Sequence, residues 1–324
     1  MAEWIVERGI GEVRAARIVD GEIVEARIEP DDALRAGTIL SARLVRRLPL
    51  RNEGVVAWDD GEALLSPLPR TVTEGGTLLV EITRPALSEP GKPKRARARP
   101  AAPGAQPGDG PSIADLPGAR IIGPFDRDLL GDAGWPLLIE EATTGHVAFP
   151  GGALSIALTP AMTLIDIDGE LAPAALALAG AHAAAAALAR LDIAGSIGID
   201  LPTVQDKAVR LAIAETVDAV LPQPFERTAV NGFGFLQIVR RRSRASLPEL
   251  FAHVPAHARA LLRQAERTGG SGERTLAAHP AVVAAIAARP DWTQAVERML
   301  GAPLALRAEN GLAISAGHVQ ARFP

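Results

Sequence analysis

The stretch Gly151–Asp200 reads GGALSIALTPAMTLIDIDGELAPAALALAGAHAAAAALARLDIAGSIGID. Thr163–Asp168 alternates, so Leu164, Asp166 and Asp168 share one face of a strand while Thr163, Ile165 and Ile167 take the other. A helix rich in alanine and leucine follows. A second short apolar strand, Ser196–Ile199, then ends on Asp200. Parallel strands joined through a helix cross over right-handedly and lie side by side or nearly so, with their C-terminal ends at one rim. Asp166, Asp168 and Asp200 are therefore expected to meet at that rim, where open sheets place ligands. Hard oxygen ligands with no histidine or cysteine among them suit Mg²⁺, which keeps several waters and accepts one or two carboxylates plus phosphate oxygens. The same residues also fit a plainer reading, with Asp168-Gly169 as a turn and Asp200 as the cap of the next helix.

Working outward toward the C-terminus, Val204–Val220 has helical spacing, with Lys207 and Arg210 on its outer side. The run ERTAVNGFGFLQIVRRRSR (Glu226–Arg244) predicts a strand beginning near Thr228, a stretch relieved by glycines, and Phe235–Val239 leading into arginines. Ser246-Leu-Pro-Glu249 carries a capping-box pattern with proline in the first turn and opens a last domain, 246–324. Within it GGSGER reads as a linker, Thr275–Ala278 as a strand and Pro280 as a helix start. A final hairpin of Leu304–Glu309 with Leu312–Ala316 is expected around Asn310-Gly311. Together these make a small α+β module.

Toward the N-terminus, Ala119–Phe149 predicts a short strand and a helix, so 119–245 forms one core with the central segment. Pro85–Gly118 is rich in Pro, Ala and Gly, contains Lys92, Lys94, Arg95, Arg97 and Arg99, and reads as a basic linker over 85–118. Short β-branched runs between 37 and 84 suggest a small barrel of the OB kind, a fold that often holds single-stranded nucleic acid. Residues 1–36 read as β structure, with Asp20-Gly21 as the hairpin turn.

At 324 residues and 48% hydrophobic content the chain can build two or three cored domains. No apolar run has the length of about 20 residues that a membrane span needs, and MAEWIVERGIGE lacks a secretory pattern, so a cytoplasmic location is expected. The absence of cysteine excludes disulfides, thiolate zinc sites and cysteine nucleophiles. The net charge of −4 averages over two basic runs, the one at 92–99 and Arg240, Arg241, Arg242 and Arg244, so RNA or DNA remains a possible partner.

With these pieces in order, the chain resembles the ribonuclease E/G family of bacterial endoribonucleases, as a shortened member. The likeness is carried by GGALSIALTPAMTLIDIDG (Gly151–Gly169), LARLDIAGSIGIDL (Leu188–Leu201) and VNGFGFLQIVRRR (Val230–Arg242), with the inserted barrel and the late ERTLAAHPAVV segment in the family's order. The resemblance implies an α+β and α/β multidomain fold: a nuclease core of RNase H-like or DNase I-like type, an inserted OB-type barrel and a small C-terminal α+β domain. It implies Asp166 and Asp200 as ligands of a catalytic Mg²⁺, with Asp168 standing where the family has asparagine. It further implies a metal-activated water that cuts RNA to leave a 5′-phosphate and a 3′-hydroxyl. Arg240 and Arg242 match a basic pair and become candidates for holding the scissile phosphate, with Lys207 and Trp58 as further RNA contacts.

Departures from the family pattern are equally specific. Pro160 replaces a glutamate, and no Arg-Thr pair of a 5′-end sensor occurs in Ala119–Phe149. Without the family's cysteine pair no zinc-linked tetramer is expected, and a homodimer stays open. The barrel's stacking phenylalanines are replaced by Val56 or Ala57 and by Leu65, leaving Trp58 as the nearby aromatic. These losses motivate an alternative, a catalytically weak or inactive RNA-binding relative. A different metal-dependent phosphoryl hydrolase on the same rim is a third option. His253 and His257 read as surface histidines near a helix start, and the glycines of Asn231–Gly234 as a bulge or a close approach.

Overall fold

The computed structural model of the chain describes residues 3–87 and 94–323. Strands β1 (Glu3–Arg8), β2 (Glu12–Val19) and β3 (Glu22–Pro30) form an antiparallel meander. Asp20 and Gly21 turn its second hairpin with φ of 51° and 85°. Two successive positive φ values match the twist of the flanking strands, which is why an Asp-Gly pair serves there.

Next, β4 (Ile39–Leu48), β5 (Glu53–Trp58), β6 (Gly61–Leu65), β7 (Thr77–Arg84) and β8 (Ala96–Pro100) close a barrel in the order β4-β5-β6-β8-β7. The fifth strand corrects the sequence-based boundary, because the barrel does not end at residue 84 and 85–118 is not a free linker. Ala96 and Ala98 point into the barrel core with Leu65, Val80 and Ile82, while Arg95, Arg97 and Arg99 are exposed. Arg95 pairs with Glu62, and Arg99 donates to both carboxylate oxygens of Glu81 at 3.0 and 2.8 Å. The basic run is thus the outer face of a strand, with part of its charge neutralised by the barrel itself. Lys92 lies outside the described residues. Past β8, Gly108 bridges to Ile39, and Ile113 is buried with Val6 and Ala15. Proline- and glycine-rich flanks had masked an Ala/Arg alternation with the period of a strand.

Strand β9 (Arg120–Ile122) pairs parallel to β1, so the barrel is an insertion within a sheet of order β3-β2-β1-β9. Helices α1 (Leu129–Asp132) and α2 (Trp135–Thr144) lead to a six-stranded sheet. It contains β10 (His146–Phe149), β11 (Gly152–Leu158), β12 (Thr163–Gly169), β13 (Gly195–Asp200), β14 (Phe225–Arg227) and β15 (Phe235–Arg240). Its order is β10-β11-β12-β13-β15-β14. The strand expected near Thr228 lies just before it, as β14.

Helix α3 (Pro173–Arg190) crosses from β12 to β13, and α4 (Lys207–Val220) follows β13. Helix α3 lies against β3 of the first sheet, β11 and β12 of the second, and α4. It is consequently apolar nearly all round, and its small side chains allow a close approach. A Cβ on Gly180 would sit 2.5 Å from Ile167 Cγ2. This packing buries one face of the six-stranded sheet. On the other face Ser155, Leu164, Asp166, Asp168, Asp200 and Val239 are exposed.

The Ser246–Glu249 capping box opens α5 (Leu247–Phe251), and α6 (Val254–Arg267) follows. A three-stranded sheet, β16 (Ser271–Ala278), β17 (Leu304–Ala308) and β18 (His318–Phe323), packs with α6, α7 (Pro280–Ala287) and α8 (Pro290–Leu300). Two expectations are overturned here. Residues 271–274 belong to β16 rather than to a linker. No hairpin forms around Asn310-Gly311, because β17 runs parallel to β16 on one side and β18 antiparallel on the other. A buried central strand carrying Leu276, Ala277 and Ala278 has backbone groups to satisfy on both edges, and the two later segments divide them.

A buried ionic cluster joins the two ends of the chain. Arg14 is fully buried and meets Glu7 at 2.8 Å, Glu12 at 2.7 Å and Glu266 at 3.5 Å. From α6, Arg259 reaches Glu12 at 2.7 Å, and Arg263 and Arg267 reach Glu7 at 3.0 and 3.1 Å. The four-residue spacing of these arginines puts them on one face of α6, toward β1 and β2. Among the described residues no helix is long and apolar enough to cross a membrane.

Candidate functional site

Parallel strands β12 and β13 pair Thr163 with Ile197, Leu164 with Gly198, Ile165 with Ile199 and Asp166 with Asp200. Neighbouring strands lie about 4.8 Å apart, and residues in register project to the same face. Ile165, Ile167, Ile197 and Ile199 are taken by the core, so Asp166 and Asp200 stand together on the open face. The plainer reading fails for both ends. Asp206, not Asp200, caps α4 by accepting the Ala208 N–H at 2.7 Å, and Asp168 is a strand residue opposite Ala153.

Asp168 shares the face of Asp166 but lies two residues further along β12, roughly 6.6 Å away by strand rise. Strand β13 has ended by then. Among the described residues no three Asp, Glu or His side chains gather into a cation-binding group, so the three-aspartate meeting expected from sequence is a pair. Neither Asp166 nor Asp200 forms an ion pair among the described residues. Two like charges at about 5 Å repel by roughly 0.8 kcal/mol even in a water-like medium. A divalent cation bridging them would remove that repulsion, and Mg²⁺ needs no more than one or two carboxylates from the protein.

The arginines expected to hold a phosphate are elsewhere. Arg240 shares the core face with Leu236 and Ile238, and its Nη1 donates to the carbonyls of Leu188 and Ile193 at 3.2 and 2.8 Å. Burial pushes its pKa below the ordinary arginine value, against the nearby Asp192 and Glu25. It tethers the end of α3 to the sheet, a structural role that displaces the predicted clamp. Arg242 pairs with Glu249 and reaches Gly195, at the far end of β13 from Asp200. That is about 16 Å along the strand. There it lines a cleft of ≈ 160 Å³ with Arg84, Lys94, Thr159 and Thr163. Lys207 is exposed at the first turn of α4, in the connection that leaves Asp200.

Trp58 is half-buried against the barrel core, its ring placed where a Cβ on Gly61 would come within 2.7 Å. Val56 and Leu65 are wholly interior. His257 corrects the surface expectation: it is buried, donates Nε2–H to the Phe251 carbonyl at 2.9 Å, and has its pKa lowered by burial.

Two aromatic residues that periodicity and charge do not mark stand beside the carboxylates. Phe235 is the register partner of Asp200, and its ring covers Gly198, where a Cβ would be 2.4 Å from Phe235 Cζ and 3.0 Å from Leu164 Cδ2. Phe233 is 85% exposed on the turn leading into β15. The expected close approach of the glycines is at Gly234, with φ of 91° and a Cβ position 2.2 Å from the Leu201 carbonyl oxygen. Comparison with known protein families and with curated proteins gave no match.

Proposed function

We propose that the chain is a Mg²⁺-dependent endoribonuclease of the ribonuclease E/G type, acting on single-stranded RNA in the cytoplasm. The observation that carries this reading is the register pairing of Asp166 with Asp200 on an open sheet face. It supports the metal ligands implied by the sequence resemblance, and the closed barrel inserted in the first sheet suits an OB-type RNA-binding domain. In this reading the six-stranded sheet and its helices are the nuclease core. A bound Mg²⁺ would supply a water of lowered pKa and offset charge on the phosphate oxygens. Asp166 and Asp200 would hold the cation, Asp168 would add negative potential beside them, and Lys207 would draw the RNA backbone toward the rim.

A second reading, an RNA-binding relative with little or no cleavage, is favoured by the diversion of Arg240 and Arg242 into structural contacts. Cleavage of 5′-monophosphate and 5′-triphosphate oligoribonucleotides across a Mg²⁺ titration separates the two. The nuclease reading expects cleavage that requires Mg²⁺, proceeds at similar rates on both ends, and is lost in Asp166→Asn/Asp200→Asn. Wild-type protein that binds the RNA but never cuts it would establish the second reading. Failure to bind RNA at all would refute both.

A further inference from the structure

Phe233 combines an exposed aromatic ring with an unusually well-held backbone. Asn231 Oδ1 accepts the N–H groups of Phe233 and Phe235 at 2.9 and 3.0 Å, and Thr203 Oγ1 donates to the Phe233 carbonyl at 3.2 Å. The Leu201 N–H donates to the Gly234 carbonyl at 3.0 Å. The turn is therefore bonded to the residues that immediately follow Asp200. A single exposed phenylalanine is ordinary on a protein surface. This one is fixed at the same rim as the paired carboxylates, and Phe235 and Leu164 continue an apolar floor beside them across Gly198. A phosphate drawn to a cation on Asp166 and Asp200 would bring its flanking nucleotide to this rim. Asn231 Oδ1 and the Thr203 hydroxyl proton are spent on backbone groups, which fixes the ring as a π-face at the rim.

We propose that Phe233 is a base-stacking platform for a nucleotide of single-stranded RNA next to the phosphate held at Asp166 and Asp200. The inference rests on the RNA reading above and adds a subsite to it. Stacking on one aromatic residue tolerates every base and is lost on alanine substitution, weakening binding by about 5- to 150-fold.

The test measures fluorescence anisotropy of labelled decanucleotide RNA with the full chain in Ca²⁺ in place of Mg²⁺, so that the carboxylates keep a divalent cation with oxygen ligands, for wild type, Phe233→Ala, Phe233→Leu and Phe233→Trp. Alanine and leucine variants should lose affinity and tryptophan should retain it, with unchanged melting temperatures because the ring is exposed. Replacing single nucleotides by abasic ones should reveal a position whose base matters to wild type and no longer matters to Phe233→Ala. If wild type binds RNA and Phe233→Ala or Phe233→Leu binds it equally well, the platform is refuted while the RNA reading stands. If wild type binds no RNA, the RNA reading itself falls and the platform with it.

Discussion

Asp200→Asn changes one oxygen of the carboxylate pair to an amide nitrogen and removes one of two neighbouring charges. At about 5 Å in a water-like medium the repulsion relieved is roughly 0.8 kcal/mol. Like charges directly opposite on a sheet are destabilising, with cross-strand pairs contributing about 0.2–1 kcal/mol. In EDTA the variant should therefore be more stable than wild type by about 0.5–0.8 kcal/mol, an unusual sign for a substitution at a proposed metal ligand. With Mg²⁺ the order should reverse. A cation at ten times its dissociation constant stabilises the native state by RT ln 11, about 1.4 kcal/mol, and the variant forfeits most of it. Urea unfolding followed by tryptophan fluorescence, with and without Mg²⁺, reads both quantities from the transition midpoints. A variant less stable than wild type in EDTA would mean that Asp200 has a structural partner. An identical Mg²⁺ shift in both proteins would place the cation elsewhere. Either result refutes the reasoning.

Three further outcomes test the frame around the site. Arg14→Met should destabilise by about 3–5 kcal/mol in urea denaturation, because it leaves the buried Glu266 without its arginine and takes the central cation from Glu7 and Glu12, which keep only the α6 arginines. Gly234→Ala meets both a φ of 91° and the Leu201 carbonyl, so a loss of more than about 1 kcal/mol is expected, with faster amide hydrogen exchange around residues 201 and 231–235. His257 titrates below its ordinary 6.5 because burial disfavours the imidazolium, and the unfolded chain therefore takes up that proton first. Stability should be full above about pH 6.5 and decline as pH falls toward the folded-state pKa. The decline should shrink in His257→Gln when urea midpoints are compared across that window.

Much of the architecture could be read from local pattern. The Asp20-Gly21 turn, the capping box at Ser246 and the strand–helix–strand around α3 need only the choices of neighbouring residues. Asp166 was legible because its strand alternates strictly, with isoleucines on the opposite face. Arg240 was not, since in Phe235–Arg240 both faces carry apolar residues and the sequence does not say which the core claims. Strand β8 was hidden for a related reason: alternating alanine and arginine bury little area, and only the barrel's hydrogen-bonding edges select them as a strand. The C-terminal hairpin failed because Asn-Gly favours a tight turn locally, whereas pairing with β16 satisfies more backbone groups.

Composition and periodicity by themselves determined that this chain builds several cores, sets short β strands ahead of a parallel strand pair, and carries aspartates near the C-terminal ends of two strands. Those properties depend on contacts within a few residues or across one crossover. Tertiary structure alone decided that Asp166 and Asp200 share a register, that Arg240 and Arg242 serve packing and ion pairing, and that Phe233 is held at the carboxylate rim. It also brought Glu7 and Glu12 to Arg259 and Arg263, more than two hundred residues away along the chain. Charge and aromaticity are written in the sequence, but what surrounds a side chain is set by how distant strands and helices close on one another.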